Sequence, residues 1–293
     1  MISIGKSLLS HCEKYSPEAA AFARAYFQTV PFMLNEKNDY LTINYDNKDI
    51  IRDFSKTTRI GEIAQGINYF YFKNHMNVCS IYDYKIYANN YLNVKTSGQS
   101  PDYVLVYNSG QLGLMESKGT LQANPSEFIL NGKKQCLNGK SCLSPYISND
   151  YVSAVNFATS SKRMKRNSTI YIVDPPYNTD WKENDMEKHI KNEYSKWFHL
   201  LGMENEFYAL KNNENISSNF FKPISKNYEI DILKSYEIFT PERHMIEIGI
   251  QPWAKEYLIT GKNYNELQSY ILENQTSNNN EEFFSDGMYI RFS

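Results

Sequence analysis

Ser100–Thr120 reads SPDYVLVYNSGQLGLMESKGT. Two apolar runs, Tyr103–Tyr107 and Leu112–Met115, are split by Asn108-Ser109-Gly110. Aromatic and β-branched runs divided by Asn, Ser and Gly read as a β-hairpin. Asp102 then stands at the start of the first strand. Glu116 and Lys118 stand at the end of the second, two residues apart, so strand alternation puts both on one face. A tight hairpin sets the start of one strand beside the end of the next. Two carboxylates and one ammonium are therefore expected together at one sheet end. An ordinary amphipathic hairpin with a surface acid and a surface lysine would carry the same residues.

Asp and Glu oxygens suit a hard cation such as Mg²⁺. Such an ion polarises a phosphoryl oxygen, lowers the pKa of bound water and steadies a leaving oxygen. A neighbouring lysine can orient the water or offset transition-state charge. The order Pro101-Asp102, hairpin, Glu116-Ser117-Lys118 resembles the PD-(D/E)XK nuclease superfamily, the fold of many restriction endonucleases. The resemblance covers about twenty residues. It implies Asp102 and Glu116 as metal ligands for Mg²⁺, with Mn²⁺ as a substitute, and Lys118 as their catalytic partner. It also implies a glutamate on the helix before the motif, for which Glu62 is the match, and a polar residue on the helix after it, for which Gln135 is the candidate. Glu62 also suits the early turns of its helix through the helix dipole, and Gln135 suits plain solvation.

The 293 residues suffice for one large domain or two modest ones. Hydrophobic content of 41% and aromatic content of 15% are those of a packed globular chain, and 24 tyrosines serve surface as well as core. The net charge of −2 argues against a generally cationic nucleic-acid binder but allows a local basic patch. Cys12, Cys79, Cys136 and Cys142 form no C-x-x-C pair and read as reduced thiols of a cytoplasmic protein. No stretch approaches 18 apolar residues, so no membrane span or membrane partner is expected.

Around the motif, Ile4–Tyr15 and Ser16–Thr29 read as helices, the second started by Ser16-Pro17 and ended by Pro31-Phe32. In Thr57–Asn74, Ile60, Ile63, Ala64, Ile67 and Phe70/Tyr71 recur at helical spacing. Val78–Tyr91 reads as a strand because Tyr82, Tyr84 and Ile86 alternate with Asp83, Lys85 and Tyr87. Pro125–Leu137 reads as a helix with Phe128, Ile129 and Leu130 inside. Val152–Thr159 and Ser168–Val173 are strand-like. Between them Lys162, Arg163, Lys165 and Arg166 put four cations in five residues, suited to phosphate contacts or simply to a solvated loop. Asp174-Pro175-Pro176-Tyr177 matches the catalytic signature of amino-group DNA methyltransferases. The chain has no G-x-G for their cofactor, so the segment reads as a strand-ending turn.

The fold expected is α/β: a central mixed sheet of four or five strands flanked by helices, restriction-endonuclease-like. Residues 1–56 form an N-terminal helical decoration, 57–177 the nuclease core and 178–293 an α+β extension. The function expected is a Mg²⁺-dependent endonuclease acting on DNA, with RNA also possible in principle. By analogy of fold it is a bacterial restriction or anti-phage effector, controlled by a partner, a ligand or DNA modification, the partner being a regulatory protein or a further copy of the chain. The alternatives are a catalytically inactive binding module on the same fold and, from Asp174–Tyr177, the methyltransferase.

Overall fold

The computed structural model describes residues 1–37, 40–43, 53–159, 167–174, 182, 184–221, 231–239, 243–262 and 281–292. The chain divides into two compact units, Met1–His189 and Ile190–Ser293.

The first unit opens with helices α1 (Ile2–Leu9) and α2 (Pro17–Met33). The Ser16 side chain accepts from the Ala19 amide at 3.0 Å and Pro17 takes the first helical position, so this helix starts where expected. It runs through Pro31 instead of ending there. Strands β1 (Leu34–Lys37) and β2 (Tyr40–Ile43) follow, then helix α3 (Asp53–His75). Next come strand β3 (Val78–Asp83), helix α4 (Tyr84–Asn90), the hairpin strands β4 (Tyr103–Tyr107) and β5 (Leu112–Thr120), and helix α5 (Ser126–Leu143). Strands β6 (Ile147–Asn156), β7 (Ala158–Thr159) and β8 (Thr169–Val173) complete the unit's sheets. Helix α6 (Met186–Leu201) crosses the division.

The central sheet has five strands in the order β3-β4-β5-β6-β8. It is mixed: β5 and β6 run parallel, joined through α5, and the other neighbours are antiparallel. The fold is thus α/β with a mixed five-stranded sheet flanked by helices. Strand β4 is buried along its whole length, as its unbroken apolar run requires for a central strand. A smaller sheet, β1-β2-β7, lies in the same unit.

Helix α3 covers one face. Ile60, Ile63, Ala64, Tyr69 and Phe72 are buried, so the apolar stripe ends on Tyr69 and Phe72 rather than on Phe70 and Tyr71. Asn68 sits within that stripe. Its amide nitrogen donates to Ser117 Oγ at 2.7 Å and to the Ser153 carbonyl at 3.0 Å, and its oxygen accepts from Ser153 Oγ at 2.8 Å. One side chain therefore ties α3 to both parallel strands, and its buried polar atoms are satisfied.

Helix α5 covers the other face and corrects a reading. Its buried residues are Gly132, Cys136, Gly139 and Leu143, while Leu130 is 58% exposed and Leu137 is 61% exposed. Before Leu143, at its end, the inner face is made of small residues. A Cβ on Gly132 would stand 2.7 Å from Val152 Cγ1 and 3.3 Å from Glu116 Cγ, and one on Gly139 would stand 2.4 Å from Pro101 Cδ. Only small residues let α5 lie this close to the strands.

Val78–Tyr91 is also corrected. Only Val78–Asp83 is strand, and the rest forms α4. Asp83 makes the break: its Oδ1 accepts from the Ile86 amide at 2.9 Å as an N-cap. Tyr84, Tyr87 and Ala88 then bury at helical spacing, whereas alternation had put Tyr84 and Tyr87 on opposite faces.

The second unit continues from α6 with α7 (Glu204–Lys211) and a 3₁₀ turn (Ser218–Phe220). Strands β9 (Asp231–Phe239) and β10 (Arg243–Ile250), helix α8 (Pro252–Thr260) and strands β11 (Glu281–Phe283) and β12 (Met288–Phe292) follow. They make an antiparallel sheet in the order β11-β12-β10-β9. Among the described residues no helix is long and apolar enough to cross a membrane.

Candidate active site

The hairpin register pairs Tyr103 with Met115, which brings Asp102 opposite Glu116. β5 outruns β4 at this end, so its ladder amides here lack a β4 carbonyl. Side chains take over. Asp102 Oδ2 accepts from the Ser117 amide at 2.9 Å, and Glu116 Oε2 accepts from the Asp102 amide at 3.0 Å. Each acid is held by the other strand's backbone. The Lys118 ammonium pairs with Glu116 Oε1 and donates to Gln135 Oε1 at 2.8 Å. Gln135 Nε2 in turn donates to the Ser100 carbonyl at 3.2 Å. Asp102, Glu116, Lys118 and Gln135 thus form one connected set, built from both ends of the hairpin and from α5.

Glu116 is 1% exposed. Burial raises its pKa, the Asp102 charge raises it further, and Lys118 offsets only part, leaving it at about 7. Burial likewise pushes Asp102 above the usual carboxylate range, against the Ser117 amide and Lys118, which pull it down. Two acids share one ammonium in a place poor in water. Such a pair gains from a cation, and among the described residues nothing donates to Asp102 Oδ1. The donors are hard oxygens. Mg²⁺ binds through one or two carboxylates, so the pair supplies ligands of the right kind and number. Among the described residues no group of three or more His, Cys, Asp or Glu side chains could hold a metal.

Glu62 is not brought into this set. Its carboxylate accepts from the Tyr26 hydroxyl and pairs with Arg59 at 3.2 Å, bonding α3 to α2. Helix α3 lies on the face of β5 that carries Ser117, whereas Glu116 and Lys118 face α5. The helical stripe put Glu62 beside buried positions but could not say which neighbour it meets. Lys162, Arg163, Lys165 and Arg166 lie outside the described residues, as do Pro175–Tyr177.

Three side chains were given no role near the site by the sequence. Cys136 is buried on the inner face of α5, and burial with the nearby Glu116 charge pushes its thiol up, so it stays protonated. His11 Nδ1 meets Asp83 Oδ2 at 2.6 Å; burial pushes Asp83 up, but this bond and the Ile86 amide outweigh it and hold its pKa low. Asn68 carried a legible signal, a polar residue four positions from Ala64 and four from Phe72 on an apolar face. Compared with known proteins, the chain matches no family model, no curated protein and no solved structure.

Proposed function

We propose that the chain is a metal-dependent endonuclease of the PD-(D/E)XK kind that hydrolyses DNA phosphodiester bonds at Asp102, Glu116 and Lys118. One observation carries the reading: two acids, cross-bonded at one sheet end and both raised in pKa, share a single lysine that a following helix holds in place. Asp102 and Glu116 would hold Mg²⁺ or Mn²⁺. When bound, that ion supplies charge neutralisation at the phosphoryl oxygen and a more acidic water. Lys118, held by Gln135, keeps its ammonium beside Glu116, where it can orient the attacking water or offset charge on the transition state. Helix α5 roofs Glu116 and keeps bulk water from that acid. The basic run Lys162, Arg163, Lys165 and Arg166 supplies phosphate contacts in this reading. A restriction or anti-phage role, with a regulatory partner, follows only by analogy with the superfamily.

The test is cleavage of supercoiled plasmid and of single-stranded DNA with Mg²⁺, Mn²⁺ or chelator, comparing wild type with Asp102→Ala and Lys118→Ala. The expected result is metal-dependent cutting that Asp102→Ala abolishes and Lys118→Ala slows by at least ~10²-fold. Cutting at the wild-type rate by both variants would overturn the assignment.

A further inference from the structure

We infer that Asn68 is a positioning residue of the candidate metal site, acting through Ser117 across the thickness of the sheet. The inference rests on the reading of Asp102 and Glu116 as a metal-holding pair.

Ser117 lies between Glu116 and Lys118 and is the point where the two faces of β5 connect. Its hydroxyl is on the α3 side, where Asn68 Nδ2 donates to it at 2.7 Å. Its amide serves the other side, donating to Asp102 Oδ2 at 2.9 Å. A rotation of β5 about its axis, or a slide of the strand by a fraction of a residue, would move the amide off Asp102 and swing Glu116 and Lys118 with it. Strand β4 cannot prevent this here, because its ladder with β5 begins at the Tyr103–Met115 pair. Neighbouring β6 pairs Ser117 with Ser153, and Asn68 holds that residue too, through the Ser153 carbonyl and hydroxyl. Asn68 therefore fixes the outer end of β5 against β6 at the one position that carries the Asp102 bond. An apolar side chain of similar volume would fill the same space and could fix none of these groups. A polar residue inside an apolar stripe costs stability unless it is satisfied. The three bonds of Asn68 satisfy it, and two of the residues it holds belong to the strands that frame the site.

The mechanism predicts an effect on metal affinity rather than on folding alone. Groups that orient metal ligands typically change affinity 10–100-fold when removed. Mn²⁺ binding to the purified full chain, followed by calorimetry or by the loss of free Mn²⁺ electron-spin signal, reads this without any need for cutting. Asn68→Ala and Ser117→Ala should each weaken Mn²⁺ binding by about 10–100-fold. The double variant should be no weaker than the worse single one, because both remove the same contact. Ile63→Val, on the same helix and fully buried without polar contacts, should lower the melting temperature and leave Mn²⁺ affinity unchanged. Asp102→Ala should abolish binding.

If Asp102→Ala abolishes binding while both Asn68→Ala and Ser117→Ala bind Mn²⁺ like wild type, Asn68 is a core residue only and the inference is wrong. Additive losses in the double variant would also overturn it. If wild type binds no Mn²⁺, or Asp102→Ala binds as wild type does, the metal reading itself fails and this inference falls with it. Should Asn68→Ala not fold, Ser117→Ala decides the matter, since it keeps the amide and removes only the hydroxyl.

Discussion

Ion pairs at the hairpin end and those of the second unit obey different arithmetic. In the second unit each of three acids described here has its own cation: Glu193 meets Lys196 at 2.7 Å, Asp231 meets Lys255 at 2.7 Å, and Glu247 meets Arg291 across β10 and β12. In the first unit Asp150 is similarly matched to Lys140 at 2.9 Å. At the hairpin end the matching stops: Asp102 and Glu116 lie together, and of these two acids Lys118 pairs with Glu116 alone. Matched pairs close a local charge balance and need nothing more. The unmatched pair leaves negative charge where burial makes it costly, and that excess is what a structural role would remove and a cation site would keep.

Exchanging a residue from each kind of pair gives the sharpest contrast. Glu116→Ala should abolish metal-dependent cutting, whereas Lys255→Ala should leave the cutting rate within twofold of wild type. Plasmid cleavage by both variants under identical salt checks this, and loss of cutting in Lys255→Ala would erase the distinction. The salt dependence of DNA binding is a second handle. Replacing Lys162, Arg163, Lys165 and Arg166 together by alanine should flatten the log–log slope by roughly 0.9 per lost duplex contact. An unchanged slope in a filter-binding titration would leave charge at the site without a charged substrate to meet.

Stability against pH separates the two kinds of pair more gently. The folded Glu116 pKa of about 7 stands above its ordinary 4.5, so the folded chain keeps a proton that the unfolded chain releases. Its contribution is greatest below the ordinary value and is lost as pH rises to about 7. The metal-free melting temperature of wild type should therefore fall across this window relative to Glu116→Gln. Mg²⁺ should recover part of the loss. Parallel curves for the two proteins would mean that Glu116 titrates normally. The smallest effect belongs to a matched, partly exposed pair: Glu247→Gln should cost about 0.2–1 kcal/mol by denaturant titration, and less in high salt.

Much of this was legible in Ser100–Thr120 because a hairpin is a local object. Its turn residues and strand alternation fix which side chains share a face, and that placed Asp102, Glu116 and Lys118 at one end. Pairing that depends on distant neighbours was less legible. Glu62 sits in a helix that was correctly expected, and its i,i+3 partner Arg59 lies on that same helix, yet its bond to Tyr26 follows from where α2 packs, which no period in α3 encodes. Tyr82, Tyr84 and Ile86 suggested strand alternation, but the Asp83 cap starts a helix that buries Tyr84, Tyr87 and Ala88 instead. Pro125–Leu137 was expected to bury its large residues, but within that stretch the close approach to the sheet buries Gly132 and Cys136, and Leu130 faces outward. Pro252–Thr260 was not expected as a helix at all, although Pro252 stands at its first turn and Gly261, at φ 70°, ends it.

The narrow seam under α5 also says how a distant relative of this chain would be known. Acids and lysines at a hairpin end recur by chance in many proteins, and a homologue that had lost catalysis would be free to lose them. The seam carries no such freedom, because a single methyl group collides with Val152 of β6 at Gly132 and with Pro101, just before β4, at Gly139, whether or not anything is cut. The durable signature is therefore a rhythm of small side chains, Gly132, Cys136 and Gly139, about fifteen residues after Lys118. A lineage could shed its chemistry and still be recognised by that spacing.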